Sequence, residues 1–255
     1  MSRSENEIEA YREASLPKKR QKLRRRISFI YDIPNSRREI DDYNSLVTEL
    51  TPGNAVLEIG CGRGWNCQQL LKLGAAEVDG IDISPDLLAE AMATYGDPRI
   101  RFYEHDIHKP FDRSFNLIVG RAILHHVDYQ TVLSSLYEHN LKPGGRMVFM
   151  EPLGSGLIMR LYWAVSGEFH TPDERPFFRH DIKWLSETFP GFRLRAYNLV
   201  SLPIAAPMTL LNCDPDNAVT RWADRVDLWL ARKLPWTQPW GRTAIFEINK
   251  PADES

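Results

Sequence analysis

The chain has 255 residues, 43% of them hydrophobic and 26% charged, with a formal net charge of -2. That size suits one α/β domain with a sizeable core and room for an appended substrate lid, and the near-neutral charge disfavours nucleic acid as a partner. Three cysteines (Cys61, Cys67 and Cys213) form no disulfide framework or zinc spacing, and Met1–Glu5 lacks the apolar core of a secretory signal, so the expected setting is reducing and cytoplasmic.

Residues 1–50 are polar and helix-prone, and are read as an N-terminal helical segment ahead of a main domain over residues 51–255. The run from Pro17 to Arg26 carries seven positive charges. It is either a solvated helix face or a contact to anionic lipid or to a phosphate on the substrate. Between Arg37 and Leu50, Ile40, Tyr43, Leu46, Val47 and Leu50 recur at helical spacing, which predicts a helix packed on the core edge or over a ligand.

From Asn54 the chain alternates strands and helices. Predicted strands are Ala55–Ile59, Glu77–Ile81, Ile100–Tyr103, Leu117–Val119 and Arg146–Met150; predicted helices are Trp65–Leu73, Pro85–Tyr95 and Tyr129–Asn140. This alternation predicts a parallel sheet with helices on both faces and ligands bound beyond the carboxyl ends of the strands. After Glu151 a mixed stretch leads to a helix at Asp181–Phe189 and strands at Phe192–Val200 and Thr243–Asn249. The long excursion between these two strands, roughly residues 201–241, holds an apolar loop with Pro203 and Pro207. It also holds a helical stretch and four of the seven tryptophans. Those tryptophans either dock the helix on the core or wall an apolar pocket.

The informative stretch is Val56–Asn66, where a short apolar strand meets Gly60, Gly62 and Gly64 and then a helix. Alternate glycines let a ligand approach the main chain, and the helix start offers unpaired N–H groups. A dinucleotide fingerprint starting at Gly60 would need glycine at position 65, which is Trp65. An acid, Asp82, follows 22 residues after Gly60, the spacing at which a carboxylate grips a ribose diol; Asp79 competes but falls inside the strand.

Glu-x-Gly-x-Gly-x-Gly at Glu58–Gly64 resembles motif I of the class I S-adenosylmethionine (SAM) dependent methyltransferases. Later motifs at Asp82, Asp106 and Leu141–Pro152 follow in the same order, and the resemblance covers roughly residues 54–152. It implies a Rossmann-like three-layer sandwich: a seven-stranded, mostly parallel sheet with an antiparallel last strand, N-terminal helices and a C-terminal lid insertion. It implies SAM as cofactor, with Glu58, Gly60, Cys61, Gly62 and Gly64 around its methionine end. Asp82 would take the ribose, Ile83 the adenine face, and Asp106 and Ile107 the adenine edge. Gly120 and Arg121 would give further backbone contacts. His125-His126 matches a pattern of the small-molecule branch; a neutral imidazole there acts as a base or merely packs. No metal is implied. The expected acceptor is a hydrophobic small molecule of quinone, isoprenoid, lipid or natural-product type. The rivals are a methyltransferase of RNA or another macromolecule and a non-catalytic SAM-binding protein.

Overall fold

A computed structural model describes residues 28–109, 111–165, 174–211 and 213–252. The basic run at 17–26, and with it the proposed peripheral membrane contact there, lies outside the described residues.

The strands are β1 (Ala55–Ile59), β2 (Glu77–Asp82), β3 (Ile100–Glu104), β4 (Phe115–Arg121), β5 (Leu141–Pro152), β6 (Phe192–Tyr197) and β7 (Thr243–Asn249). They form one seven-stranded sheet in the order β3-β2-β1-β4-β5-β7-β6. Pairing is parallel from β3 through β5, and β7 runs antiparallel between β5 and β6. This is the Rossmann-like arrangement that the methyltransferase resemblance implies. Strand order reverses between β1 and β4, so a crevice opens beyond their carboxyl ends.

Both faces of the sheet are covered. The helices are α1 (Pro34–Leu50), α2 (Trp65–Lys72), α3 (Pro85–Thr94), α4 (Tyr129–Ser135), α5 (Leu157–Val165), α6 (Arg179–Thr188), α7 (Ser201–Met208) and α8 (Ala218–Lys233). Leu57 and Ile118 join a core with Val132 and Leu133 of α4 and Leu185 of α6. The neighbouring Val56 and Val119 point the other way, into a core with Val47 of α1, Leu70 of α2 and Leu88 of α3. The period-two alternation of each strand thus feeds two separate layers.

Several boundaries differ from the sequence reading. The Pro-Gly-Gly turn lies inside β5, as a protrusion between the pairs Phe115–Leu141 and Leu117–Arg146. The helix at Tyr129 changes at Leu136 to one π turn, whose end is pinned by Asn140 Nδ2 donating to the carbonyls of Phe111 and Arg113. The apolar loop is helix α7. Pro203 falls in its first turn, where the missing N–H has no helical partner, and Pro207 falls one residue before its end.

The buried face of α1 is largely polar: Asn35, Ser36 and Glu39 are buried with Tyr43 and Val47, while Ile40 is 41% exposed. Polar partners explain this rotation. Asn198 N donates to Asn35 Oδ1 at 2.7 Å, Arg242 Nη2 to Glu39 Oε2 at 2.7 Å, and Arg38 Nη2 to Asp224 Oδ1 at 2.6 Å. These bonds tie α1 to β6, β7 and α8. One asparagine, one carboxylate and one arginine of α1 thereby fix the C-terminal excursion.

Candidate functional site

The crevice forms where the glycine turn leaves β1. Gly60 N and Cys61 N both donate to Ile81 O, at 2.9 and 3.1 Å, which fastens the turn to the end of β2. The glycines serve different ends. Gly62 has φ +51°, lines the crevice, and a Cβ there would meet only Leu87 Cδ1, at 4.0 Å. Its bareness leaves room for a ligand. Gly64 has φ +73° at the N-cap of α2, and a Cβ would sit 2.5 Å from Phe102 Cζ. Its bareness lets α2 close on β3, and it does not line the crevice. Gly120 likewise answers to packing, against Ile123 and Phe149.

Asp82 ends β2 at the crevice wall. Its Oδ2 accepts from Gly62 N at 2.8 Å and its Oδ1 from Ser84 N at 2.9 Å. One carboxylate therefore fixes both the glycine turn and the entry to α3 while it faces the cavity. A carboxylate oxygen can accept more than one hydrogen bond, so these bonds do not prevent Asp82 from taking a diol. Asp79 does something else: it is fully buried within β2 and paired with Arg101 and Arg113.

Ile83, Leu87, His105, Asp106, Ile107 and His108 form the opposite wall. Asp106 Oδ1 is 2.9 Å from His108 Nδ1 and accepts from His108 N at 3.1 Å. That pairing holds the acid at the rim, and His108 Nε2 in turn accepts from Asp128 N at 3.2 Å. Leu87, an apolar helix residue, carries no motif and escaped the sequence reading; His105 and His108 stand close to Asp106 in the sequence, but their spacing fits no metal-ligand motif and gave them no role.

At the exit of β4, Arg121, Ala122 and Ile123 complete the lining. Ala122 adopts a left-handed φ of 52°, unusual for a residue with a Cβ. Its neighbours show what holds it there: Ala122 N donates to Met150 O, and Ile123 N and Leu124 N both donate to Glu151 Oε1 at 2.9 Å. The Arg121 guanidinium lies over the Tyr43 ring, 5.7 Å from its centroid, so α1 reaches the crevice rim.

Glu58 and Cys61 are buried beneath the turn and do not line the crevice. Glu58 accepts from Asn66 Nδ2 at 2.8 Å and from the Cys67 thiol at 2.9 Å. Burial pushes its carboxyl up to about 7, although both donors and the Arg121 charge pull it down.

His125 and His126 stand just outside the lining. His125 is buried, with Nδ1 2.7 Å from Glu151 Oε2 and Nε2 3.6 Å from Glu174 Oε1. Burial alone would lower its affinity for a proton. The two carboxylates outweigh burial and raise it to about 9. At neutral pH it therefore holds its proton and is a poor general base. Glu151 anchors this turn. Glu174 escaped the sequence reading because it sits in an irregular stretch; Arg175 N donating to His125 O places it. His125, His126 and Glu174 also bring three potential ligand atoms within 4.8 Å of one another, a grouping that their spacing in the chain hides.

The crevice walls bring together an acid at the β2 tip, a bare glycine beside it and an apolar slot from Ile83 to Leu87. Residues 56–145 match the family model described as a methyltransferase domain. The chain is 31% identical over 102 residues to malonyl-[acyl-carrier protein] O-methyltransferase of Halalkalibacterium halodurans. That match covers 37% of this chain and 38% of that protein. It is 34% identical over 112 residues to demethylmenaquinone methyltransferase of Chlorobaculum tepidum, covering 42% and 45%. The chain thus spans less than half the length of these relatives. Its fold resembles Haemonchus contortus phosphoethanolamine N-methyltransferase 2 in complex with SAM, with TM-score 0.55 and 18% identity over 83% of this chain and 52% of that one.

Proposed function

We propose that this chain transfers a methyl group from SAM to a hydrophobic small molecule. The observation that carries the cofactor assignment is the Asp82 carboxylate, held at the crevice wall by Gly62 N and Ser84 N. In this reading Asp82 takes the ribose hydroxyls, Ile83 and Leu87 pack on the adenine, and Asp106 and Ile107 meet its edge. Gly60 and Gly62 pass close to the methionine portion, and Arg121 lies beside it. Glu58, Cys61, Gly64 and Gly120 support that arrangement from behind.

When bound, SAM supplies a methyl on a sulfonium whose charge is lost as the carbon–sulfur bond breaks, so the leaving group needs no acid. The task left to the chain is alignment and exclusion of water. The turn at Ala122–Leu124, fixed by Glu151, positions the crevice wall where an acceptor would enter. His125 stays an imidazolium that locks this turn. His126, the other candidate base, is adjacent to it, with ring centroids 4.0 Å apart.

The acceptor class is supported by the similarity to demethylmenaquinone methyltransferase, whose name gives a quinone acceptor. The apolar excursion at 201–241 is read as a lid beside that acceptor. The test is to incubate the protein with methyl-labelled SAM and fractionated extract. Label should enter an organic-extractable product and disappear with Asp82→Ala. Label confined to RNA or protein would contradict the proposal.

A further inference from the structure

The C-terminal excursion carries its large aromatic residues outward. On α8, Val219, Trp222, Val226 and Trp229 recur at three- and four-residue spacing and form one stripe. Trp222 and Trp229 are 54% and 55% exposed, while Thr220, Ala223 and Asp227 make the buried flank. Just beyond the helix, Trp236 is 66% exposed and meets Trp240 edge-on. Leu210 and Leu211, at the end of the adjoining α7, are 87% and 61% exposed. Trp222, Trp229 and Trp236 therefore turn much of their area to solvent and do not line the crevice, while Thr220, Ala223 and Asp227 carry the buried flank of α8. A monomer rarely leaves so much aromatic surface in water without a use for it.

The charges beside this surface are one-sided. Three of the segment's four carboxylates are engaged: Asp216 pairs with Arg221, Asp224 with Arg38, and Asp227 accepts from Val200 N and Ser201 N; the fourth, Asp214, precedes α8 in the loop and accepts from Asp216 N. Arg225, Arg232 and Lys233 have no carboxylate within ion-pair distance among the described residues, and all three lie on or next to the tryptophan stripe. A chain of net charge -2 thus presents a local cationic rim around exposed indoles. A self-complementary contact with a second copy would bring these cations together.

We infer that the α8 face, extended by Trp236, docks on the surface of an anionic lipid bilayer. Indole rings favour the interface between headgroups and acyl chains, and each nearby arginine or lysine adds attraction to anionic headgroups. The docked face would keep the protein at the surface, since no helix among the described residues is long and apolar enough to cross a membrane.

Sedimentation of the full chain with vesicles of phosphatidylcholine, with and without phosphatidylglycerol, tests this without any methyl transfer. Three basic side chains correspond to an affinity about a hundredfold higher for the anionic vesicles at low salt. Brominated lipid should quench the wild-type tryptophan fluorescence, which checks insertion without any variant. Trp222→Ser with Trp229→Ser should weaken binding at least about tenfold. Arg225→Glu with Arg232→Glu and Lys233→Glu should remove the preference for phosphatidylglycerol. Both variants should keep wild-type SAM affinity, which confirms that they fold. Failure of the wild type to sediment with anionic vesicles, equal binding to both vesicle types, or binding untouched by both variants would overturn the inference. So would a concentration-dependent dimer that the tryptophan variant abolishes.

Discussion

The crevice and the C-terminal excursion are built by opposite rules. Around the crevice, backbone geometry chooses the residue: a left-handed turn selects glycine, and two converging N–H groups select a carboxylate. In the excursion and α1, no backbone position demands its residue. Contacts between distant segments decide which face is buried, and they bury Asn35, Ser36 and Glu39 in preference to Ile40. The first kind of rule leaves a mark in the sequence and the second leaves almost none.

The largest expected effect tests the crevice side. Asp82→Ala should raise the dissociation constant for SAM by at least about a hundredfold, since it removes a charged acceptor and releases Gly62 N and Ser84 N. Calorimetric titration checks this. Asp79→Ala, in the same strand, should leave that constant nearly unchanged and lower stability by about 1–3 kcal/mol, because it removes the buried partner of Arg101 and Arg113 and leaves them only Glu77. Chemical denaturation measures it. Equal effects of the two variants on SAM binding would erase the distinction between a ligand-facing acid and a structural one.

The two glycines sharpen the same contrast. Gly64→Ala should cost about 2–3 kcal/mol, from left-handed strain plus the clash with Phe102. Gly62→Ala should cost about 1 kcal/mol, from backbone strain alone, yet weaken SAM binding more than Gly64→Ala does. Thermal melts and titrations on both variants separate these roles.

The His125 clamp makes a pH-dependent contribution. The imidazole gains proton affinity on folding, from its ordinary 6.5 to about 9. Its stabilisation is therefore full below about pH 6.5 and lost as the pH rises through 9. Glu151→Gln should lower stability at pH 6 and flatten the stability curve between 6.5 and 9. A variant with an unchanged curve would show that the pair does not hold the turn.

The smallest effect belongs to the excursion. Trp222→Ala or Trp229→Ala should change folding stability by less than about 0.5 kcal/mol, as for other exposed sites. A loss above about 2 kcal/mol would mean that these rings are core residues after all.

Those differences explain what was legible in the sequence. The sheet could be read because apolar strands alternate with helices between glycine and proline breaks. The position of Asp82 followed from its distance to Gly60. Glu174 and the polar face of α1 could not be read, because their partners lie far away in the chain and follow no spacing. Proline misled at α7: Pro203 falls in the first turn, which tolerates it, and Pro207 lies inside the helix but only one residue before its end. The tryptophan helix was found, but neither sequence reading of its aromatic face described the outward stripe, since periodicity shows that a stripe exists without showing what it faces.

One titration bears most directly on the central claim that the crevice beside Gly62 and Asp82 is built for SAM. Wild-type protein would be titrated in turn with SAM and with NADH, which a glycine turn spaced for dinucleotides would favour. The expected result is saturable one-to-one binding of SAM and no heat from NADH. Binding of NADH, or the absence of SAM binding, would contradict it.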